Sequence, residues 1–307
     1  MTSAETTTMP DSSANAPSLK IWLDGALVDQ ADAKVSVFDH GLLYGDGCFE
    51  GIRAYNGRIF KLESHIDRMW ESAEKIRLNP AYSKAEIAAA IRETVAANNI
   101  TDGYIRLVFT RGVGTLGLHP FRCPTPGTFI IADRIQLYPE ALYENGMRVI
   151  VANRPRIPIT CLDPAIKSLN YLNNILAKIE AIDADVLEAI MLNTDGYVSE
   201  CTGDNIFVVR HGAVFTPPTE AGILHGITRR FVMDDLIPSL GYSIEERMMT
   251  LDDLRAADEV FLTGTAAEII GVNQIDDHTI GDGRVGPMTR ALGAAFRERV
   301  STDAPED

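Results

Sequence analysis

The stretch that decides the fold is Lys167-Ser-Leu-Asn-Tyr-Leu-Asn-Asn-Ile-Leu176. Its apolar residues recur at helical spacing, so the sequence predicts a helix with Lys167 at its head and Tyr171 one helical turn later. The predicted apolar face of this helix is Leu169, Leu172, Leu176 and Ile179. A lysine is usually a solvated surface charge, so the meaning of Lys167 depends on residues elsewhere in the chain.

Three downstream features carry groups that suit a phosphorylated ligand. Gly226-Ile-Thr228 stands at a predicted helix start, where free N–H groups and the helix dipole favour an anion. A predicted strand over 259–263 feeds Gly264-Thr265-Ala266, where a glycine lets the backbone approach a ligand closely. Glu200 places an acid in an apolar neighbourhood. Each feature also has an ordinary structural explanation, namely a plain helix cap, a tight turn and an exposed turn acid.

Arg68 lies on a predicted amphipathic helix that runs from Leu62 to Ile76. Its guanidinium offers a planar fork of donors to a phosphate, and the alternative is a surface ion pair with Asp67 or Glu71. Together these segments supply an amine, a phenol, a carboxylate and phosphate-binding groups. Pyridoxal phosphate needs this set, for its aldehyde, ring oxygen, ring nitrogen and phosphate respectively. The joint pattern therefore predicts pyridoxal phosphate as cofactor.

The bulk properties exclude several classes of protein. A chain of 307 residues suits about two domains, and a formal net charge of −15 argues against a nucleic-acid partner. No apolar run approaches membrane-spanning length. The four cysteines are scattered without CxxC spacing, which favours a reducing, cytoplasmic compartment and gives no sign of a metal site. Residues 1–18 are rich in Ser, Thr, Ala and Pro, and we predict a disordered tail there.

The first half of the ordered chain predicts an α+β layer structure. Ile21–Val28 is typical of a hairpin with an Asp-Gly turn, and Phe49–Leu62 of a second hairpin with an Asn-Gly turn. Ser83-Lys-Ala-Glu86 is a capping box that opens a helix to about Asn98. Further strands are predicted at 104–111, 128–134 and 147–152.

Tyr, Pro, Glu and Gly interrupt this pattern between Leu137 and Asn145, where we expect a boundary. We therefore predict a small α+β domain over residues 19–140 and a larger domain over 141–302 that carries Lys167. In the larger domain, strands are predicted at 188–193 and 205–210, and a helix over 226–240 that stops at Gly241.

The chain resembles the fold-type IV (class IV) PLP-dependent aminotransferases, most closely the branched-chain amino acid aminotransferases. The resemblance runs from about Ile21 to Arg297. It implies an α/β fold like that of D-amino acid aminotransferase, with an α+β N-terminal domain and a barrel-like α/β C-terminal domain. The motifs that carry it are Tyr44-Gly-Asp-Gly-Cys-Phe-Glu-Gly-Ile-Arg53, Ile166-Lys-Ser-Leu-Asn-Tyr-Leu172, Tyr197-Val-Ser-Glu-Cys-Thr-Gly-Asp-Asn-Ile-Phe207, Gly226-Ile-Thr-Arg229 and Gly264-Thr-Ala-Ala-Glu-Ile269.

The resemblance also implies roles for individual residues. Lys167 would be the catalytic Schiff-base lysine, and Glu200 the partner of the pyridine nitrogen. Tyr171 would hydrogen-bond the ring oxygen, and Leu224 would pack against the ring. The residues implied to hold the phosphate are Arg68, Ile227, Thr228 and Thr265. The residues implied to contact the substrate are Tyr44, Phe49, Arg53, Tyr104, Arg106, Thr265 and Ala266.

The activity implied is transamination of branched-chain L-amino acids with 2-oxoglutarate, giving branched 2-oxo acids and L-glutamate, as in branched-chain amino acid biosynthesis. The partners implied are small-molecule amino and 2-oxo acids and further copies of the chain, as a homodimer or larger oligomer. Other chemistries of the same fold stay open: D-amino acid or R-amine transamination, or an aminodeoxychorismate-lyase-like reaction. The Lys-Ser-Leu-Asn-Tyr171 spacing is similar to that of D-amino acid members. A different class is a catalytically silent module that binds a phosphorylated ligand through 226–228.

Overall fold

The computed structural model describes residues 18–135 and 138–302. In the first half an antiparallel six-stranded sheet has the order β2-β1-β6-β5-β3-β4. Its strands are β1 Lys20–Leu23, β2 Ala26–Asp29, β3 Gly47–Tyr55, β4 Arg58–Ile59, β5 Gly103–Thr110 and β6 Gly127–Asp133.

Both predicted hairpins are present in this sheet. Asp24 and Asn56 have φ of 45° and 50°, and each is followed by a glycine with positive φ, as two-residue hairpin turns require. The strand after Asn56 is shorter than predicted, because β4 ends at Ile59 and the next helix begins at Leu62.

The described residues of this half contain three α-helices, α1 His40–Tyr44, α2 Leu62–Lys75 and α3 Lys84–Ala97, and a short 3-10 helix at Pro120–Arg122. The Ser83–Glu86 capping box forms as predicted and starts α3. Apolar side chains of α2 and α3 pack on the sheet in one core, with Ile52, Met69 and Ile91 fully buried. This burial fixes α2, and with it the direction in which Arg68 leaves the helix.

The second half contains a nine-stranded mixed sheet with the main order β12-β11-β10-β13-β14-β7-β8-β9, and β15 pairs with β14. Its strands are β7 Met147–Val151, β8 Glu188–Leu192, β9 Val198–Cys201, β10 Asn205–Arg210, β11 Ala213–Thr216, β12 Ile244–Glu246, β13 Glu259–Gly264, β14 Glu268–Ile275 and β15 His278–Thr279. The pairs β7–β8, β7–β14 and β11–β12 are parallel.

Helices flank this second sheet. A continuous helical run from Ile227 to Ser239 contains a π-helical stretch at Val232–Leu236, and this run matches the helix predicted over 226–240. The stacked rings of Phe207 and Phe261 lie in the core beneath it, with centroids 4.9 Å apart. The helices are α4 Glu140–Asn145, α5 Leu172–Asp183, α6 Ile227–Phe231, α7 Ile237–Ser239, α8 Leu251–Arg255 and α9 Pro287–Ser301.

The segment that carries Lys167 differs from the prediction, because α5 begins only at Leu172. The backbone of Lys167 is hydrogen-bonded to the first half of the chain instead. Phe49 N donates to Lys167 O at 3.0 Å, and Lys167 N donates to Ser72 Oγ at 3.1 Å. Lys167 is therefore held by β3 and α2 rather than by a helix of its own.

The predicted apolar face of this helix is also wrong. The buried side chains of α5 are Asn174, Ala177 and Ala181, whereas Leu172 is 65% exposed and Ile179 is 45% exposed. The small buried residues let α5 pack closely on β8, and its large apolar residues are left on the surface.

The predicted boundary lies between β6 and β7, where α4 is the intervening helix. Leu137 and residues 1–17 of the predicted tail lie outside the described residues. Because each sheet has its own apolar core, we propose that the division at residues 140/141 separates two domains. Across the described ranges, no helix is both long and apolar enough to cross a membrane.

Candidate active site

A cavity of about 350 Å³ is lined by residues from both halves of the chain. Most of the side chains singled out in the sequence meet there. These are Arg68, Tyr104, Lys167, Tyr171, Glu200, Leu224, Ile227, Thr228, Thr265 and Ala266.

Lys167 places its amine among aromatic groups in this cavity. Its Nζ lies 3.1 Å from Tyr171 Oη and 4.6 Å from the centroid of the Phe49 ring. The Phe49 and Tyr171 rings meet edge to face, with centroids 4.8 Å apart. The amine is therefore oriented by a phenol and held in an apolar environment, an arrangement that suits a lysine acting as nucleophile and proton carrier.

Glu200 forms an anionic wall of the cavity. It lies on β9 and is only 5% exposed, so it is not the exposed turn acid of the alternative interpretation. Arg156 Nε donates to Glu200 Oε1 at 2.8 Å. Leu224 N and Asn205 Nδ2 donate to Glu200 Oε2 at 2.9 and 3.2 Å. These donors fix a carboxylate where it can partner a protonated pyridine nitrogen.

Arg68 forms a cationic wall. Its Nε and Nη2 donate to the two oxygens of Glu50 at 2.7 and 2.8 Å, and its Nη1 donates to His225 O at 2.8 Å. Arg68 is thus paired with a buried acid from β3 and not with the acids beside it in the sequence. Burial raises the pKa of Glu50, but Arg68 and His65 outweigh burial and hold that pKa well below its ordinary value.

The start of α6 lies at the same cavity. Ile227 and Thr228 are its first residues, and the first N–H groups of a helix have no partner within the helix. Gly226 precedes them, and a Cβ there would lie 2.0 Å from Asn205 Oδ1, so only glycine fits. Thr265 follows β13 in the turn before β14. These groups offer hydrogen-bond donors to an anion.

Strands β3 and β5 form one side of the cavity, through Gly51 and Tyr104. The guanidinium of Arg106 lies 4.4 Å from the Phe49 ring centroid, and its Nη2 donates to Tyr104 Oη at 3.3 Å. Arg106 therefore points towards the face that carries Phe49 and not away from it. Tyr104 Oη lies so close to Gly51 that any Cβ there would overlap it.

Four of the implied substrate residues do not themselves line the cavity: Tyr44, Phe49, Arg53 and Arg106. Phe49 and Arg106 lie directly behind lining residues, Phe49 against Tyr171 and Arg106 against Tyr104. Arg53 donates to Ala266 O at 3.3 Å and pairs with Glu268 at 3.6 Å, so it supports the turn that contains Ala266. Tyr44 Oη accepts a hydrogen bond from Gly117 N at 2.9 Å. Tyr44 is therefore bonded to a loop that does not line the cavity.

Several residues at the cavity had no assigned role in the sequence. Glu50 and Asn205 lie inside the quoted motifs, whereas Arg156 lies in a Pro-rich loop that gave no signal. Tyr138 and Asp204 form a further polar pair, in which Tyr138 Oη donates a hydrogen bond to Asp204 Oδ2 at 3.4 Å. Burial and the neighbouring Glu188 carboxylate raise the pKa of Asp204 well above its ordinary value.

The donor set fits pyridoxal phosphate, since an amine, a phenol, a buried carboxylate and a group of anion-binding donors share one cavity of suitable size. A family model described as amino-transferase class IV matches residues 47–275. The chain belongs to the class IV aminotransferases. The prediction of the family is therefore confirmed.

Relatives of this class IV aminotransferase carry two kinds of name. A Methanocaldococcus jannaschii protein named "Putative branched-chain-amino-acid aminotransferase" is 50% identical over 280 residues, which covers 91% of this chain and 96% of that protein. D-alanine aminotransferase of Bacillus licheniformis is 36% identical and covers 93% of this chain and 98% of its own.

Among solved structures, branched-chain amino acid aminotransferase from Thermobaculum terrenum in its PLP-form superposes on this class IV aminotransferase with a TM-score of 0.84. It is 33% identical and covers 92% of this chain and 94% of its own. The predictions of fold class and of pyridoxal phosphate as cofactor are thus confirmed as well. The family and fold follow from these similarities, and the choice of substrate depends on the site itself.

Proposed function

We propose that this aminotransferase transfers the amino group of branched-chain L-amino acids to 2-oxoglutarate, giving branched 2-oxo acids and L-glutamate. One observation carries the proposal: two cationic groups lie against the ring of Phe49. The Lys167 amine is 4.6 Å from the ring centroid, and the Arg106 guanidinium is 4.4 Å from it. The same place thus offers apolar contact to a branched side chain and a cation to the distal carboxylate of 2-oxoglutarate.

The residues of the chain divide the work. When bound, pyridoxal phosphate supplies an electron sink next to the substrate amine. Lys167 Nζ would remove the proton from the substrate Cα as a general base and, as a general acid, deliver it to the cofactor carbon that carries the aldehyde. Glu200 would hold the proton on the pyridine nitrogen, Tyr171 would donate to the ring oxygen and Leu224 would pack on the ring. The phosphate is held by Arg68, Ile227, Thr228 and Thr265.

The substrate panel that tests this proposal uses L-leucine, D-alanine and R-phenylethylamine, each with 2-oxoglutarate or pyruvate. We expect the highest turnover with L-leucine and 2-oxoglutarate. Faster turnover of D-alanine would reject the branched-chain assignment in favour of the second candidate, D-amino acid transamination. That candidate is supported by the 36% identity to D-alanine aminotransferase.

Arg106 allows a sharper test, because it should contact only one of the two substrates. Arg106→Leu should raise the KM for 2-oxoglutarate by roughly tenfold or more, since a hydrogen bond to a charged group is lost. The KM for L-leucine should change much less. Equal effects on both substrates would assign Arg106 to packing against Phe49 instead.

Lys167→Ala tests the catalytic role itself. We expect turnover to fall by about 10²- to 10⁴-fold, because the proton carrier is removed, while the cofactor still binds. Purified wild-type protein should be yellow, and borohydride should fix the cofactor to Lys167. Colourless protein that takes up no pyridoxal phosphate would support the silent binding module.

We also propose that the chain works as a homodimer or larger oligomer in the cytoplasm. Support comes from the exposed apolar residues of α5, because a contiguous apolar patch marks an interaction surface. Leu172, Ile175 and Ile182 are 65%, 52% and 63% exposed. Light scattering of the wild type and of Ile175→Lys should show whether this face joins two copies.

A further inference from the structure

Thr263 is a buried hydroxyl without a partner in the cavity. It lies on β13 and is 1% exposed, and its Oγ1 has no hydrogen bond within the described chain. Buried hydroxyl groups in proteins are nearly always hydrogen-bonded, because losing water without a replacement opposes folding. An unpartnered hydroxyl that lines a binding cavity therefore indicates a ligand atom that completes it.

The orientation of β13 shows what this hydroxyl faces. Side chains two residues apart lie on one face of a strand, so Thr263 shares its face with Phe261. Phe261 packs in the same core as Phe231 of α6. Asn205 lies directly opposite Thr263 on β10, and its side chain touches Gly226. The face that carries Thr263 is thus the face on which α6 begins.

Groups that can bind an anion line the same cavity as Thr263. Ile227 and Thr228 begin α6, and Thr265 follows Thr263 by two residues. We propose that Thr263 Oγ1 donates a hydrogen bond to the phosphate of the cofactor. This inference rests on the proposed function, which places the phosphate between α6 and Thr265. Thr263 then adds a neutral donor from the sheet to the charged donor of Arg68.

The test separates the phosphate from the rest of the cofactor. Apo-protein is titrated with pyridoxal phosphate and with pyridoxal, which lacks the phosphate. Thr263→Val keeps the side-chain shape and removes the donor. We expect its Kd for pyridoxal phosphate to rise on the order of tenfold, as for loss of one hydrogen bond to a charged group, with the Kd for pyridoxal unchanged. Thr263→Ser keeps the hydroxyl and should bind both like the wild type.

Thr128 provides a matched control. It is also 1% exposed with an unpartnered Oγ1, but it lies on β6 and does not line this cavity. Thr128→Val should leave both Kd values unchanged. Any loss of affinity in this variant equal to that of Thr263→Val would show a general packing effect and overturn the inference.

Two further results would also overturn it: an unchanged Kd for pyridoxal phosphate in Thr263→Val, or weak binding by Thr263→Ser despite its hydroxyl. An equal loss of affinity for pyridoxal would do the same, because the effect would then not involve the phosphate. Failure of the proposed function looks different: a wrong substrate assignment would appear in the substrate panel with cofactor binding intact, and a wrong cofactor site would leave wild-type protein unable to bind either compound or to be fixed at Lys167 by borohydride.

Discussion

Glu50 and Arg68 form one buried ion pair beside the cavity, and Glu200 and Arg156 form another. In the first pair the arginine lines the cavity and the glutamate is fully buried behind it. In the second pair the order is reversed, with the glutamate lining the cavity and the arginine behind it. The same two residue types therefore make a cationic wall in one place and an anionic wall in another.

This difference shows how a fold of net charge −15 presents both signs of charge to one small ligand. A single buried charge is costly, and a hidden partner of opposite sign offsets much of that cost. The partner also fixes the orientation of the exposed group through hydrogen bonds. We expect Arg68 and Glu200, which line the cavity, to contact the ligand. Glu50 and Arg156 should affect the ligand only by positioning these two residues.

Among variants of these two ion pairs, the largest effect is expected from Glu200→Gln. It keeps the shape and removes the negative charge that faces the ring nitrogen, so kcat should fall on the order of 100-fold or more. The Kd for pyridoxal phosphate should change far less. Steady-state kinetics and a cofactor titration measure the two quantities. If kcat is retained, Glu200 is not the partner of the pyridine nitrogen.

Arg68→Met should lower both cofactor affinity and stability. The Kd for pyridoxal phosphate should rise by roughly 10- to 100-fold, as hydrogen bonds to a charged group are lost. The free energy of unfolding should fall by about 3–5 kcal/mol, because Glu50 is left as a buried charge without its main partner. Urea denaturation of the apo-protein measures that loss.

The double variant Glu50→Gln/Arg68→Met is the control for this prediction. It should regain much of the stability, since no buried charge is left without its partner, while cofactor affinity stays low. Recovery of affinity together with stability would mean that Arg68 affects the cofactor only through folding.

The smallest effect concerns acid stability. The folded-state pKa of Glu50 lies well below its unfolded value of about 4.3, so its contribution is complete above that value and is lost as pH falls towards the folded-state pKa. Wild-type protein should therefore lose stability more steeply than Glu50→Gln as pH falls below about 4.3. Urea denaturation of both proteins at several pH values below about 4.3 measures this difference. If stability falls equally with pH in both proteins, the lowered pKa of Glu50 is contradicted.

Local signals in the sequence predict the elements well. The turns at Asp24 and Asn56 and the cap at Ser83 each depend on a few adjacent residues, and all three form as predicted. The non-helical backbone of Lys167 depends instead on hydrogen bonds to Phe49 and Ser72, which are distant in the chain. Helical periodicity cannot report such pairing, so the predicted helix began too early.

The residues of the cavity also show that local sequence patterns do not report contacts between distant residues. The motifs contain most of the residues that line the cavity, because each motif supplies its group from a short segment. The hidden partners are different: Glu50 meets Arg68 only when α2 packs on the first sheet, and Arg156 meets Glu200 only when its loop folds against β9. No spacing rule links such pairs. The buried face of α5 was also predicted wrongly. The helix packs closely on the sheet through the small residue Ala177 rather than through its larger apolar residues.

The hydrogen bonds that join Lys167 to Phe49 and Ser72 have a consequence for synthesis of the chain. These partners leave the ribosome before Lys167, whereas Glu200 and Thr265 leave after it. Lys167 can thus be set against the first sheet while Glu200 and Thr265 have not yet been made. Capture of the cofactor then waits for the last strands. We therefore expect the yellow colour of bound cofactor to report that both sheets have folded.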